Sequence, residues 1–191
     1  MATDSPLRHP GSRAIPATPR PAPWAPGIEG FNTAPTDAVT LALLGCCASP
    51  GWARRIVAHR PYPNVGALMA ASDEAAYDLS PDELTEALSR ESLALPPGAG
   101  YSAAHTALSA AHVAYENKFG HVFVICLDDF PQGEALDQVL AGIRARLSNE
   151  PEEERVLAAE ELRRLARGRI ARLVREGPRT GRGTASAAPV S

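Results

Sequence analysis

The sequence predicts an all-α fold, a compact multi-helix domain with one short extended segment near 121–127. Three observations carry this. Apolar residues recur at helical spacing through most of the middle of the chain. Helix start signals precede several of those stretches. One continuous, β-branched run, His121-Val122-Phe123-Val124-Ile125-Cys126-Leu127, reads as extended, and a single such run cannot make a sheet.

Residues 1–30 hold Pro6, Pro10, Pro16, Pro19, Pro21, Pro23 and Pro26 without apolar periodicity, which predicts a disordered, Pro-rich arm. Thr36 or Asp37 can cap a helix carrying Val39, Leu41, Leu43 and Leu44. A short helix over about 51–59 must stop near Arg60, because Pro61 disfavours helical backbone at the residue before it. Asn64 can cap a third helix with Val65, Leu68 and Met69 on one side. Ser80-Pro81-Asp82-Glu83 is the clearest local signal. It puts Ser at N-cap, Pro at N1 and a Glu at N3 whose carboxylate can reach back to the Ser80 amide. That helix carries Leu84 and Leu88. Pro96-Pro97-Gly98-Ala99-Gly100 must be a loop. An Ala-rich helix follows over about 102–118. Helix 133–148 has Leu136, Val139, Leu140, Ile143 and Leu147 as an apolar stripe. The last helix, about 151–175, opens with Glu152, Glu153 and Glu154 and closes with Arg167, Arg169, Arg172 and Arg175, which complements its macrodipole at both ends. The Gly-, Ala-, Ser- and Thr-rich stretch 177–191 reads as a disordered tail, leaving 31–176 as the folded domain.

Composition narrows the class. Apolar residues are 45 % of the chain and aromatics only 5 %, so Leu, Val, Ile and Ala must fill the core. A net charge of −3 argues against a general polyanion binder. No apolar run is long enough to span a membrane, and the N-terminus has no apolar signal region, so a cytoplasmic location is expected. Three cysteines, Cys46, Cys47 and Cys126, make no disulfide framework and no metal set. Adjacent Cys46 and Cys47 in a helical pattern cannot bridge without strain, and small buried thiols are the expected role.

Three stretches together resemble the 2-oxo-4-hydroxy-4-carboxy-5-ureidoimidazoline (OHCU) decarboxylases. The first is Phe31-Asn32, then Cys46-Cys47-Ala48-Ser49, Trp52 and Arg60-Pro61-Tyr62. The second, and most specific, is Tyr115-Glu116-Asn117-Lys118-Phe119-Gly120-His121-Val122-Phe123-Val124-Ile125. The third is Arg146-Leu147-Ser148-Asn149 with Glu153 and Glu154, then Arg169-Ile170. Their order and spacing span about 31–175. The resemblance implies an all-α, dimeric, cofactor-free and metal-free carboxy-lyase that forms (S)-allantoin in urate breakdown. It also implies roles. Arg169 would pair with a substrate carboxylate or carbonyl. Backbone groups around Phe123 and Ile125 would hydrogen-bond the ureido and ring atoms, and Ser102 matches the family's Ser near the site. The ordinary alternatives are a solvated helix-end cation for Arg169 and plain core for Phe123 and Ile125.

The resemblance thins where proton chemistry would occur. The family's His-Pro-x-Ile/Leu-Gly reads here as Glu91-Ser92-Leu93-Ala94-Leu95, so Glu91 takes the place of the His that serves as general acid/base. The family's Ser-x-x-Glu-Gln reads Ser102-Ala103-Ala104-His105-Thr106. Two readings stay open. Glu91 and His105 exchange the two roles, either residue type being capable of proton transfer once tuned. Alternatively the acid/base pair is lost and the fold is kept as a silent or repurposed binding module, with Glu91 a solvated helix-end carboxylate and His105 a half-exposed helix residue. A nucleic-acid surface on Arg163, Arg164, Arg167, Arg169, Arg172, Arg175, Arg179 and Arg182 ranks last, since an acidic block precedes it and no aromatics interleave. The expected partners are a small-molecule ureidoimidazoline and a second copy of the chain, with neither nucleic acid nor membrane.

Overall fold

The computed structural model describes residues 24–92 and 103–178, with the side chains of 103–105 and of Gln132 outside that description. Among the described residues the fold is all-helical: α1 (Ile28–Thr33), α2 (Thr36–Leu44), α3 (Pro50–Ala58), α4 (Val65–Tyr77), α5 (Pro81–Ser89), α6 (Ala103–Phe119), α7 (Ala135–Arg146) and α8 (Pro151–Glu176). A 3₁₀ turn, Gln132–Glu134, leads into α7. No described helix is long and apolar enough to cross a membrane. The predicted 96–100 loop lies outside the described residues, as do 1–23 and 179–191.

The start signals act as their chemistry requires. Ser80 Oγ accepts from the Glu83 amide at 3.2 Å, and Glu83 Oε2 accepts from the Ser80 amide at 3.0 Å. Asn64 Oδ1 accepts from the Ala67 amide at 2.9 Å. Two expectations need correcting. Pro35, not Thr36 or Asp37, stands at the N-cap of α2, and no side chain caps it, because Pro already fixes the extended entry. The folded chain also starts before 31: Trp24 packs edge-on against Phe31, and the Gly27 amide donates to the Val174 carbonyl at 2.7 Å. Replacing Ser80 with alanine is expected to cost about 1 kcal/mol of folding stability. Chemical denaturation reads this, and an unchanged midpoint with an unchanged slope would contradict it.

Helix α8 organises the rest. Its 26 residues span roughly 39 Å at 1.5 Å per residue. It buries Glu154, Ala158, Leu162, Ala166, Ile170 and Val174, one residue in every four. On one side, Leu162 and Ile170 join a core containing Phe31, Leu43, Trp52 and Leu68. A second core of Leu108, Tyr115, Phe123, Val139 and Ile143 sits between α6 and α7. The run Val122–Leu127 has no strand partner and threads between the two. Val122 and Val124 pack with the first core while Phe123 and Ile125 pack with the second, the two-residue alternation of an extended chain.

The Phe31-Asn32 and Arg60-Pro61-Tyr62 motifs meet in space. Asn32 Nδ2 donates to the Tyr62 carbonyl at 2.8 Å, and the Tyr62 amide donates to Asn32 Oδ1 at 2.9 Å. Arg60 reaches the carbonyls of Asn32 and Ala34, and the Tyr62 hydroxyl donates to the Ile56 carbonyl. This part of the resemblance is scaffold: it staples α1 to the end of α3.

Candidate active site

Glu91 is the first residue past Arg90, the C-cap of α5, and its amide donates to the Leu88 carbonyl at 3.1 Å. Arg169 lies on the flank of α8 beside the buried stripe. The two side chains meet in a bidentate pair, Nη1 to Oε1 at 2.7 Å and Nη2 to Oε2 at 2.8 Å. Arg169 Nη1 also donates to the Cys46 carbonyl at 3.0 Å, in the turn between α2 and α3. Three separate parts of the chain thus converge on one guanidinium. The Glu91 side chain is only 7 % exposed and that of Arg169 29 %, so neither is the solvated helix-end charge that a local reading allows. The Glu91 hydrogen bonds, ahead of the opposing effect of burial, raise the Arg169 pKa further.

The extended run reaches α8 close to this pair. The Cys126 amide donates to Glu161 Oε2 at 2.6 Å, and Asp128 lies 3.4 Å from Arg172, one turn beyond Arg169. The Val124 carbonyl accepts from Arg146 Nη1 at 2.8 Å. Among the described residues no hydrogen bond engages the backbone of Phe123 or Ile125, and none joins either residue to Glu91 or Arg169. The Phe123 side chain is core, only 1 % exposed, and that of Ile125 is half-buried against the same core. Ser102 lies outside the described residues; His105 is within α6 but its side chain is not described.

Three other described histidines make local contacts. His59 Nδ1 lies 2.7 Å from the Arg55 carbonyl, His121 packs edge-on against Tyr115, and His112 packs edge-on against Phe123. Burial lowers the His112 pKa below its ordinary value. Among the described residues no group of three or more His, Cys, Asp or Glu side chains could hold a metal ion.

Local reasoning missed one cluster. Glu154 is fully buried and accepts from the Tyr115 hydroxyl, from Arg146 through Nε at 2.8 Å and also through Nη2, and from Asn149 Nδ2 at 2.9 Å. Lys118 Nζ donates to the carbonyls of Leu147 and Asn149. Burial first, then the bond to Glu154, pushes the Tyr115 hydroxyl upward. Because Arg146 also holds the Val124 carbonyl, this cluster fixes the extended run in place. The signal was available: Glu154 falls on the four-residue stripe of Ala158, Leu162, Ala166 and Ile170.

The arginines of α8 are engaged by the chain's own carboxylates. Arg163 pairs with Asp73 and Glu160, Arg164 with Asp129 and Glu161, Arg167 with Asp73, and Arg172 with Asp128. A basic surface read from their number alone is largely neutralised.

All three thiols are buried. Burial pushes the Cys46 thiol up to about 12 and the Cys47 thiol up to about 11, and raises that of Cys126 too. Since the thiolate is the reactive form, the native protein is expected to react with a disulfide reagent at pH 8 at least roughly a hundredfold more slowly than the denatured chain. Fast release of chromophore from the native protein would contradict this.

The model of the OHCU decarboxylase family matches residues 32–92 and 88–171. A solved structure of (S)-allantoin synthase superposes with a TM-score of 0.60 at 19 % identity, over 76 % of this chain and 53 % of that one. The chain therefore spans about half the length of that protein. A structure of OHCU decarboxylase in the presence of (S)-allantoin superposes with a TM-score of 0.58 at 22 % identity, over 69 % of this chain and 95 % of that one. Both likenesses are of fold. No curated protein matches the chain significantly in sequence.

Proposed function

The chain belongs to the OHCU decarboxylase family, and from that premise we propose that it decarboxylates 2-oxo-4-hydroxy-4-carboxy-5-ureidoimidazoline to (S)-allantoin. The observation that carries the reading is the meeting of Glu91 and Arg169 beside the Cys46 carbonyl. Glu91 stands where the family has its acid/base His. A planar guanidinium suits the carboxylate or carbonyl of the substrate. The main chain of Phe123 and Ile125 supplies donors and acceptors for the ureido group and ring. In the reaction the bond from the ring carbon to the carboxylate breaks, CO₂ leaves, and the electron pair passes into the adjacent C=N. The hydroxyl on that carbon gives up its proton and becomes a carbonyl, while a proton is delivered to one face of the neighbouring ring carbon, the one that bears the ureido group. Glu91 and His105 would share that proton work, and fixed orientation would give the single hand. A homodimer in the cytoplasm, without cofactor or metal, completes the proposal.

A second reading has its own observation. Both oxygens of Glu91 already fill the fork of Arg169, which suits a silent or repurposed binding module. The two separate in one assay. Urate oxidation and 5-hydroxyisourate hydrolysis generate the substrate in place, and its disappearance is followed with and without the protein. The decarboxylase reading expects decay that quickens in proportion to protein added. Decay at the spontaneous rate would leave the binding module.

A further inference from the structure

Arg169 presents its end-on edge, Nη1 and Nη2, wholly to Glu91. Its Nη1 is tied also to the Cys46 carbonyl, so the guanidinium cannot turn that edge elsewhere without losing a third bond. The Glu91 carboxylate is nearly buried and follows directly on the last turn of α5. Water therefore does not readily replace the pair when a ligand arrives. We propose that Glu91 is a built-in competitor for carboxylate at Arg169, and so the residue that sets which ligands this site accepts. The proposal rests on the functional reading above, in which Arg169 meets the ligand.

The physical argument concerns charge and shape together. A ligand carboxylate can take the end-on edge only by displacing Glu91, and then it leaves one carboxylate without its cation. If it approaches the side-on edge, through Nε, it meets Arg169 already neutralised and Glu91 close by, which opposes a second negative charge. A neutral cyclic ureide pays neither cost, because its N–H groups can face the free lone pairs of Glu91 and its carbonyls can face Nε–H. For the proposed reaction the exchange has a consequence. The substrate carboxylate that takes the fork also frees Glu91 to handle a proton.

The test uses two stable probes, neutral hydantoin and anionic hydantoin-5-acetate, titrated calorimetrically into the full chain. The wild-type protein is expected to bind hydantoin more tightly than its 5-acetate. Glu91→Gln is expected to raise the affinity for the 5-acetate relative to that for hydantoin about tenfold over the wild-type ratio. Adding Arg169→Gln to that variant should remove the gain. Circular dichroism checks that the variants are helical, and the wild-type order of the two probes needs no variant at all. Tighter binding of the 5-acetate by wild type, no gain in Glu91→Gln, or no binding of either probe would overturn the proposal. Failure of the decarboxylase reading looks different: the binding ratios stand while turnover is absent.

Discussion

Replacing Glu154 with alanine is expected to remove about 3–5 kcal/mol of folding stability, the usual cost of breaking a buried ion pair from one side. The reason lies in what is left behind. Glu154 is the common acceptor for Tyr115, Arg146 and Asn149. Without it, Arg146 is a cation only 12 % exposed at its side chain, facing a cavity and holding just the Val124 carbonyl and the Tyr115 hydroxyl. The Tyr115 hydroxyl loses its acceptor inside the second core. Since the cluster joins α6, α7, α8 and the extended run, the damage should be cooperative: a lower denaturation midpoint with no separate early transition. Glu154→Gln keeps the volume and should lose less. A loss under about 1 kcal/mol for Glu154→Ala would mean the pair is more solvated than its geometry requires.

Arg169→Ala is expected to give the largest functional effect, lowering kcat/KM for decarboxylation by roughly 10²–10³, the scale of one lost charge-stabilising donor in a site shielded from water. Arg169→Lys keeps the charge but not the planar fork and should recover only part of it. Because Arg169→Ala also leaves Glu91 without its partner, melting temperatures must be read beside the kinetics. A variant that is as stable as wild type yet inactive places Arg169 at the ligand. A variant that loses stability but keeps activity after correction for folded fraction makes Arg169 scaffold alone.

Much of the fold was legible because its signals are local. Ser80 to Glu83 specifies a helix start by hydrogen-bond chemistry within four residues, and Asn64 does the same for α4. The extended run was legible because no helical face accommodates seven such residues in continuous sequence. The α2 start departs from the expected Thr36 or Asp37 cap because a side-chain cap and a Pro entry satisfy the same backbone geometry. At the site, position along the chain was legible but meaning was not. Nothing near Glu91 in sequence says that its charge is buried, because its partner lies 78 residues away. Glu154 was hidden differently. In Glu152-Glu153-Glu154 all three suit the helix dipole, and only the stripe running down α8 singles out the third. The arginines of the same helix show the converse. Their number suggested a basic face, and carboxylates distant in sequence, Asp73 and Asp128 among them, pair with several of them.

The handedness of the allantoin formed tests the central claim most directly. Spontaneous decay of the ureidoimidazoline gives both hands equally, so circular dichroism of the product separates catalysis from background without knowledge of rate. With substrate generated in place, the wild-type chain is expected to give an excess of (S)-allantoin that grows with protein concentration, and Arg169→Ala is expected to give close to racemate. Racemic allantoin from the wild-type chain at every concentration would contradict the account and leave Glu91 and Arg169 as a closed ion pair on a decarboxylase fold.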